Sequence, residues 1–185
     1  MHAGASVRTA LAALAALGAL NSSACTDGDD GVVVDPLPDL PYCTPFAEWD
    51  PAFVALEVEV LVLMNQRRGA PADCGGLAYA PAPALTMHPA LHCAARAHSR
   101  DMADRAFFDH TNPDGATPFD RMASAGYPLV TGGENIAMGY PDAPSVMEGW
   151  MTSPGHCANI MSQDFAEAGV GYFLGAYFTT TFGRR

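Results

Sequence analysis

Two histidines and a glutamate, His110, Glu134 and His156, are the residues of this sequence whose types and settings best suit chemistry. His110 precedes an Asn-Pro-Asp-Gly turn, Glu134 follows two glycines, and His156 follows a Pro-Gly pair. Irregular backbone of this kind allows side chains from separate elements to converge. Two imidazoles and one carboxylate could hold a metal ion or exchange protons with a substrate, so these three are the candidate catalytic residues. Their spacing alone does not show that they meet.

The sequence predicts two long helices ahead of this site. From Pro51 to Arg68, apolar residues recur at helical spacing on two neighbouring stripes, which predicts a deeply buried helix. A second helix is predicted from Pro89 to Ala106, with His98 on its apolar stripe. A histidine on such a stripe indicates a hydrogen-bonded core residue rather than a ligand. His88 and His92, near the start of this helix, are expected at the surface.

Shorter elements are predicted around Glu134 and His156. The breaks between them are glycine and proline residues, which end helices and form turns. We expect a short helix from Thr117 to Gly126, an extended segment from Ile136 to Met138, a helix from Asp142 to the break before His156, and a closing hairpin of Glu167 to Phe173 with Ala176 to Phe182.

The first 24 residues have the features of an export signal. Arg8 precedes an apolar run that is too short to span a bilayer, and small residues end at Ala24. Cys25 follows directly, as in a bacterial lipoprotein signal, although Ser22 stands where leucine is usual. We expect Cys25 to be lipidated; the alternative is an ordinary secretory signal that leaves it free. Residues 25–40 then form an acidic tether, and residues 41–185 form one domain.

The charge of the chain excludes one class of partner. Its formal net charge is −11 and it contains no lysine. Nucleic-acid binding requires clustered basic residues that displace counterions from phosphates. We therefore expect no nucleic-acid partner, and membrane contact only through a lipid anchor at Cys25.

Several motifs in a fixed order carry a family resemblance. They are His98-Ser-Arg-Asp-Met, Phe108-Asp-His110, Gly133-Glu-Asn-Ile136, Trp150-Met-Thr-Ser-Pro-Gly-His156 and Phe182-Gly183. Together they resemble the CAP superfamily of cysteine-rich secretory proteins, insect venom antigens and plant pathogenesis-related proteins, and above all its bacterial secreted branch. The resemblance implies an α+β fold, a three-layer α-β-α sandwich whose small, mainly antiparallel sheet lies between helices.

The resemblance also implies a cleft lined by two histidines and two acidic residues. His110, Glu134 and His156 match three of these positions, and Ser153 stands at the fourth, where a second glutamate is usual. Glu148 does not replace it, because five residues along a helix place Glu148 about 140° from Ser153.

Two interpretations of this cleft remain open. His110 and His156 could ligate Zn²⁺ that carries a bound water, with Glu134 as a further ligand or as a base. The alternative is that the imidazoles and the carboxylate form a hydrogen-bonded network that stiffens the fold.

The cysteines after Cys25 can pair in three ways. We favour Cys74 with Cys157, which would fix the loop at Cys74 beside His156. Cys43 with Cys93 would then attach the segment before the first helix to the second helix.

Three classes of function remain. The first is an exported binding module for a lipid, a glycan or a peptide, and it is favoured because many relatives lack an accepted catalytic activity. The second is a metal-dependent hydrolase, although the sequence supplies no evident triad: Ser153 lies three residues before His156 across a Pro-Gly break. The third is a structural partner of other exported proteins.

Overall fold

The computed structural model of the chain describes residue 1 and residues 31–185. The predicted signal peptide and Cys25 therefore lie outside the described residues, apart from Met1. Within the described part, no helix combines the length and the apolar character needed to cross a membrane.

The two long helices begin and end close to the predicted residues. Helix α1 is Pro51–Arg68, and the side chain of Asp50 accepts a hydrogen bond from its first turn. Helix α2 is Pro89–Arg105 and ends in a left-handed residue. Helix α3, Pro118–Ser124, starts with a capping box in which Thr117 and Asp120 bond each other's backbone N–H groups.

Two further helices meet at Ser153. Helix α4 is Ala143–Thr152 and helix α5 is Pro154–Met161, and Ser153 between them is extended, with φ −98° and ψ 116°. The break predicted before His156 is present, and it is followed by a helix that was not predicted, α5, which contains His156. Proline needs no N–H partner in a first helical turn and its φ suits a helix, so Pro154 starts a new helix here.

The strands form two sheets. Strands β1 (Ala72–Asp73) and β2 (Ala78–Tyr79) make a small antiparallel pair. The central sheet contains β3 (Thr86–Met87), β4 (Thr131–Met138), β5 (Glu167–Phe173) and β6 (Tyr177–Arg184) in the order β3-β5-β6-β4. Strand β3 runs parallel to β5, and the other neighbours are antiparallel. The sheet is therefore mainly antiparallel, as expected.

Strand β4 is longer than the predicted segment Ile136 to Met138. Its glycines suggest a loop, yet a Cβ at Gly132 would lie 2.9 Å from the carbonyl oxygen of Phe182 on β6. Close approach of two backbones, and not a turn, explains that glycine. As a result, Glu134 lies in the middle of an edge strand.

Helices cover both faces of the central sheet. The backbone of α2 lies directly on β5, where Gly169 and Gly171 have no side chain to hold it away. The hydroxyl of Thr181 on β6 also donates to the carbonyl of Leu91 on α2, at 3.0 Å. The opposite face carries the main core, contributed by α1, α4, α5, β5 and β6: Val60, Leu61, Met64, Val146, Met147, Trp150, Ile160, Val170, Phe178 and Phe182. The predicted three-layer α-β-α sandwich is confirmed.

Both favoured disulfides are formed. Cys43 is bonded to Cys93 and Cys74 to Cys157, with Cα–Cα distances of 5.6 and 5.5 Å. The second half of the predicted tether also contacts the domain, because Val32 packs against the main core and Leu37 against a smaller cluster beside α2 and α3. Val32 and Leu37 thus contact the domain, whereas Val33 between them is 72% exposed.

The expectation that His92 lies at the surface is wrong. His92 is fully buried, and its Nε2 lies 2.9 Å from a carboxylate oxygen of Glu57, which is also fully buried on α1. The charged partner lies 35 residues away in the chain, so the local pattern of α2 gives no sign of it. His88 is half-buried, and its Nδ1 accepts the N–H of Ala90 at 3.2 Å.

Candidate functional site

His110 and Glu134 are in direct contact. The Nδ1 atom of His110, on the segment between α2 and α3, lies 2.8 Å from Oε1 of Glu134 on β4. The Glu134 side chain is 2% exposed and that of His110 is 48% exposed. The carboxylate therefore lies beneath the imidazole, and the hydrogen bond raises the pKa of His110 because it favours the protonated ring.

Arg121 completes this contact, and the sequence did not indicate it. From α3, its guanidinium donates to both oxygens of Glu134, at 3.1 and 2.9 Å, and to the carbonyl of His110 at 2.9 Å. The Arg121 side chain is only 4% exposed. A buried arginine normally requires an acidic partner, so its place beside Met122 on a short amphipathic helix could have drawn attention to it.

His98 is hydrogen-bonded to the segment between α2 and α3 that carries His110. Its Nε2 lies 3.0 Å from the carbonyl oxygen of Asp109 and 3.8 Å from Oε1 of Glu134. A carbonyl can only accept, so Nε2 carries the proton. Burial is the main reason that the pKa of His98 falls to about 4. The predicted structural role of His98 is confirmed, and the bond also orients the backbone next to His110.

His156 reaches the same edge of the sheet from α5. The side-chain amide of Asn135 donates to the carbonyl of His156 at 3.1 Å, and that of Asn159 donates to Asn135 at 2.9 Å and to the Glu134 carbonyl at 3.3 Å. Burial lowers the pKa of His156, and the charge of His110 lowers it further. The backbone of His156 is thus held beside the β4 strand that carries Glu134. Of the three candidate residues, only His110 lies on a loop.

Ser153 and Glu148 form no hydrogen bond with this cluster. Ser153 makes no side-chain bond to the first turn of α5. Within the part of the chain that the structure describes, the Ser153 side chain forms no hydrogen bond with His110, Glu134 or His156. Glu148 forms an exposed ion pair with Arg67 on α1 at 3.0 Å, which agrees with its predicted direction away from Ser153.

A three-ligand zinc site does not fit the residues present. Both oxygens of Glu134 already accept hydrogen bonds, and Nδ1 of His110 is occupied by the same carboxylate. Within residues 31–185, no group of three or more His, Cys, Asp and Glu side chains is arranged to hold a metal. A metal held by His110 and His156 alone stays a prediction.

A cleft of about 360 Å³ lies beside this cluster. It shares Arg121 but is lined by none of His110, Glu134 and His156. Its other walls are contributed by the segment before α1, by α2 and by α3, and include Tyr42, Phe46, Arg100, Asp101 and Arg105. The two features are neighbours separated by the Arg121 side chain.

The chain is an α-β-α sandwich with a contact between His110, Glu134 and Arg121 at the edge of its sheet. This is the fold that the resemblance of the motifs implies. The profile of the cysteine-rich secretory protein family, CAP, matches residues 61–181. The chain belongs to this family.

Two proteins of Bacillus subtilis are similar in sequence. The uncharacterized protein YkwD is 44% identical over 88 residues, which cover 48% of this chain and 34% of YkwD. The uncharacterized membrane protein YlbC is 34% identical over 88 residues, covering 48% of this chain and 25% of YlbC. The match thus spans about a third and a quarter of these relatives.

Solved structures agree on the fold. An extracellular protein with an SCP domain from Bacillus anthracis has a TM-score of 0.63 and 25% identity, over 75% of this chain and 45% of that chain. An outer surface protein of Borrelia burgdorferi has a TM-score of 0.55 and 19% identity, over 71% of this chain and 91% of that chain. At that identity the second protein supports the fold alone.

Proposed function

We propose that this chain is an exported CAP-domain binding module whose ligand contacts the surface formed by His110 and His156. The observation that carries the proposal is the state of Glu134. Its carboxylate is buried and bonded to Arg121 and His110, so it is poorly placed to act as a base, whereas the His110 ring is half exposed. Such a site can recognise a ligand without transforming it.

Two exposed aromatic rings support a ligand with an apolar part. Phe108, two residues before His110, is 46% exposed, and Phe119 is 49% exposed. Phe119 lies near β4, because a Cβ at Gly132 would be 3.5 Å from its ring. Binding sites commonly combine apolar walls with a few polar groups. A lipid, a glycan or a peptide would each supply a polar group for the imidazoles and apolar surface for the rings.

Mass spectrometry of compounds that co-purify with the full chain tests this proposal, together with elemental analysis. We expect one class of organic ligand at near-stoichiometric amount, reduced in Phe108→Ser and in His156→Ala. Leu77→Ser is the matched control, because Leu77 is 65% exposed in the connection just before β2. Stoichiometric zinc with turnover would support the metal-dependent hydrolase instead. Neither zinc nor ligand would favour a structural partner of other exported proteins.

Export and lipid anchoring belong to the same proposal. One similar structure is that of an extracellular protein, which supports an exported location, and Cys25 follows the predicted signal. We expect labelled palmitate to enter the wild-type chain and not Cys25→Ser. Incorporation that survives this substitution would count against an anchor at Cys25.

A further inference from the structure

Arg121 is hydrogen-bonded to Glu134 and to two backbone carbonyls next to it, including that of His110. Its guanidinium is held by both Glu134 oxygens, by the carbonyl of His110 at 2.9 Å and by the carbonyl of Ala116 at 3.0 Å. Nη2 contacts both Glu134 oxygens and the His110 carbonyl, while Nη1 donates to Ala116, so two nitrogens of one planar group hold separate partners, which the single nitrogen of lysine cannot reproduce. The ion pair is also nearly dry, with the two side chains 4% and 2% exposed.

A divalent cation at Glu134 would compete with this arrangement. Metal ligation by the carboxylate would place a second cation against oxygens that already accept from Arg121. The guanidinium and the metal ion would then share one counter-charge and repel each other across a short distance of low polarity. The geometry therefore disfavours Glu134 as a metal ligand, independently of which organic ligand the surface binds.

We infer that Arg121 is a built-in cation of this site, which neutralises Glu134 in place of a metal ion and positions His110. The carboxylate receives the Nδ1 side of the His110 ring, while Arg121 holds the backbone carbonyl of the same residue. These two bonds orient the imidazole so that Nδ1, and not Nε2, faces Glu134. Arg121 is thus a positioning residue, and the site is assembled without metal.

Zinc titration by calorimetry at about pH 7.5, where free imidazole is neutral, tests this inference on the full chain. The wild type should bind zinc weakly or not at all, because Arg121 already neutralises Glu134. Arg121→Gln releases the carboxylate and removes the opposing charge, and should bind zinc about tenfold more tightly or better. Co²⁺ absorption would show whether the gained site has nitrogen and oxygen ligands. A merely structural role for Arg121 would not produce a gain of affinity.

Arg100→Gln is the matched control, because Arg100 pairs with Asp104 at the surface, at 3.2 Å. It should leave zinc affinity unchanged. Arg121→Lys keeps the charge and should not gain zinc. If Arg121→Gln does not fold, the wild type still decides. Tight, stoichiometric zinc binding by the wild type would overturn the inference, and weak or absent binding would support it.

Discussion

Glu57 is a fully buried carboxylate held by groups from several elements. It accepts hydrogen bonds from the indole of Trp49 at 3.0 Å, the backbone N–H of Tyr172 at 3.0 Å and the guanidinium of Arg96 at 2.6 Å, and it contacts His92. These bonds join α1, α2 and the end of β5. A carboxylate with so many partners can remain charged in the interior.

We expect Glu57→Gln to lower the free energy of unfolding by about 3–5 kcal/mol. The amide keeps the shape but leaves the buried guanidinium of Arg96 without its counter-charge. Urea denaturation measures the loss. Glu148→Gln is the control, because that ion pair with Arg67 is exposed and should change stability by less than about 1 kcal/mol. Equal effects of the two substitutions would contradict the expected role of Glu57.

Among individual residues, the sequence identifies some of those in the candidate site and misses others. His110 and Glu134 stand in motifs with glycine or proline beside them, so their types and setting identified them. Arg121 is bonded to a residue 13 positions away and Glu57 to one 39 positions away. Such partners become neighbours only through the fold, and the local sequence does not show which acidic and basic residues will pair.

Helix α2 begins with an unusual cap. The Nδ1 of His88 accepts the N–H of Ala90 at 3.2 Å, so this nitrogen must be unprotonated. Burial is the main reason that the pKa of His88 lies below its usual 6.5. The charged groups that act on it are the carboxylates of Glu167 and Asp35, which raise the pKa, and Arg185, which lowers it. The cap and the protonation state are therefore linked.

We expect this cap to weaken as pH falls. Because the folded pKa is the lower one, the unfolded chain takes up the proton first, and stability present above about pH 6.5 is lost as pH falls toward the folded pKa. Asn caps a helix without titrating in this range. Urea denaturation at about pH 7.5 and about pH 5 measures how much stability is lost between these pH values, and the loss should be smaller for His88→Asn than for the wild type. The pKa values of buried His92 and His98 are lowered as well, so part of the loss of stability at low pH remains in both the variant and the wild type. Equal losses would argue against the cap.

The disulfides connect elements that are distant in sequence. Cys74–Cys157 spans 83 residues and ties α5 to the segment between β1 and β2, whereas Cys43–Cys93 spans 50 residues and ties the chain before α1 to α2. Replacing either pair with serine should cost about 2–5 kcal/mol. Hydrogen exchange should accelerate in α5 only when Cys74 and Cys157 are replaced. Faster exchange there in the other variant would contradict this division.

The layers of the whole molecule follow from two periodicities. Apolar residues at helical spacing predict α1 and α2, and alternation predicts the β5–β6 hairpin, so these elements were accessible from sequence. The sheet order β3-β5-β6-β4 was not, since β3 has two residues and its pairing with β5 carries little local signal. The start of α5 was missed because Pro-Gly ends one helix and begins another within the same few residues.

Whether α2 can lie on the sheet depends on two glycines of β5. A Cβ at Gly169 would overlap the backbone of Leu91 and His92, and one at Gly171 would overlap Ala95 and Arg96. A helix backbone cannot yield as a flexible side chain can, so Gly169→Ala must separate the two layers. We expect it to destabilise the fold by about 3 kcal/mol or more.

Gly155→Ala makes the same chemical change where there is space. Gly155 lies in the first turn of α5, and a Cβ there would meet nothing within 4 Å. Alanine favours a helix over glycine, so this variant should be more stable by about 0.5–1 kcal/mol. Thermal unfolding of both variants measures the difference. A Gly169→Ala protein that melts at or above the wild-type temperature would mean that α2 does not rest on the sheet through this contact.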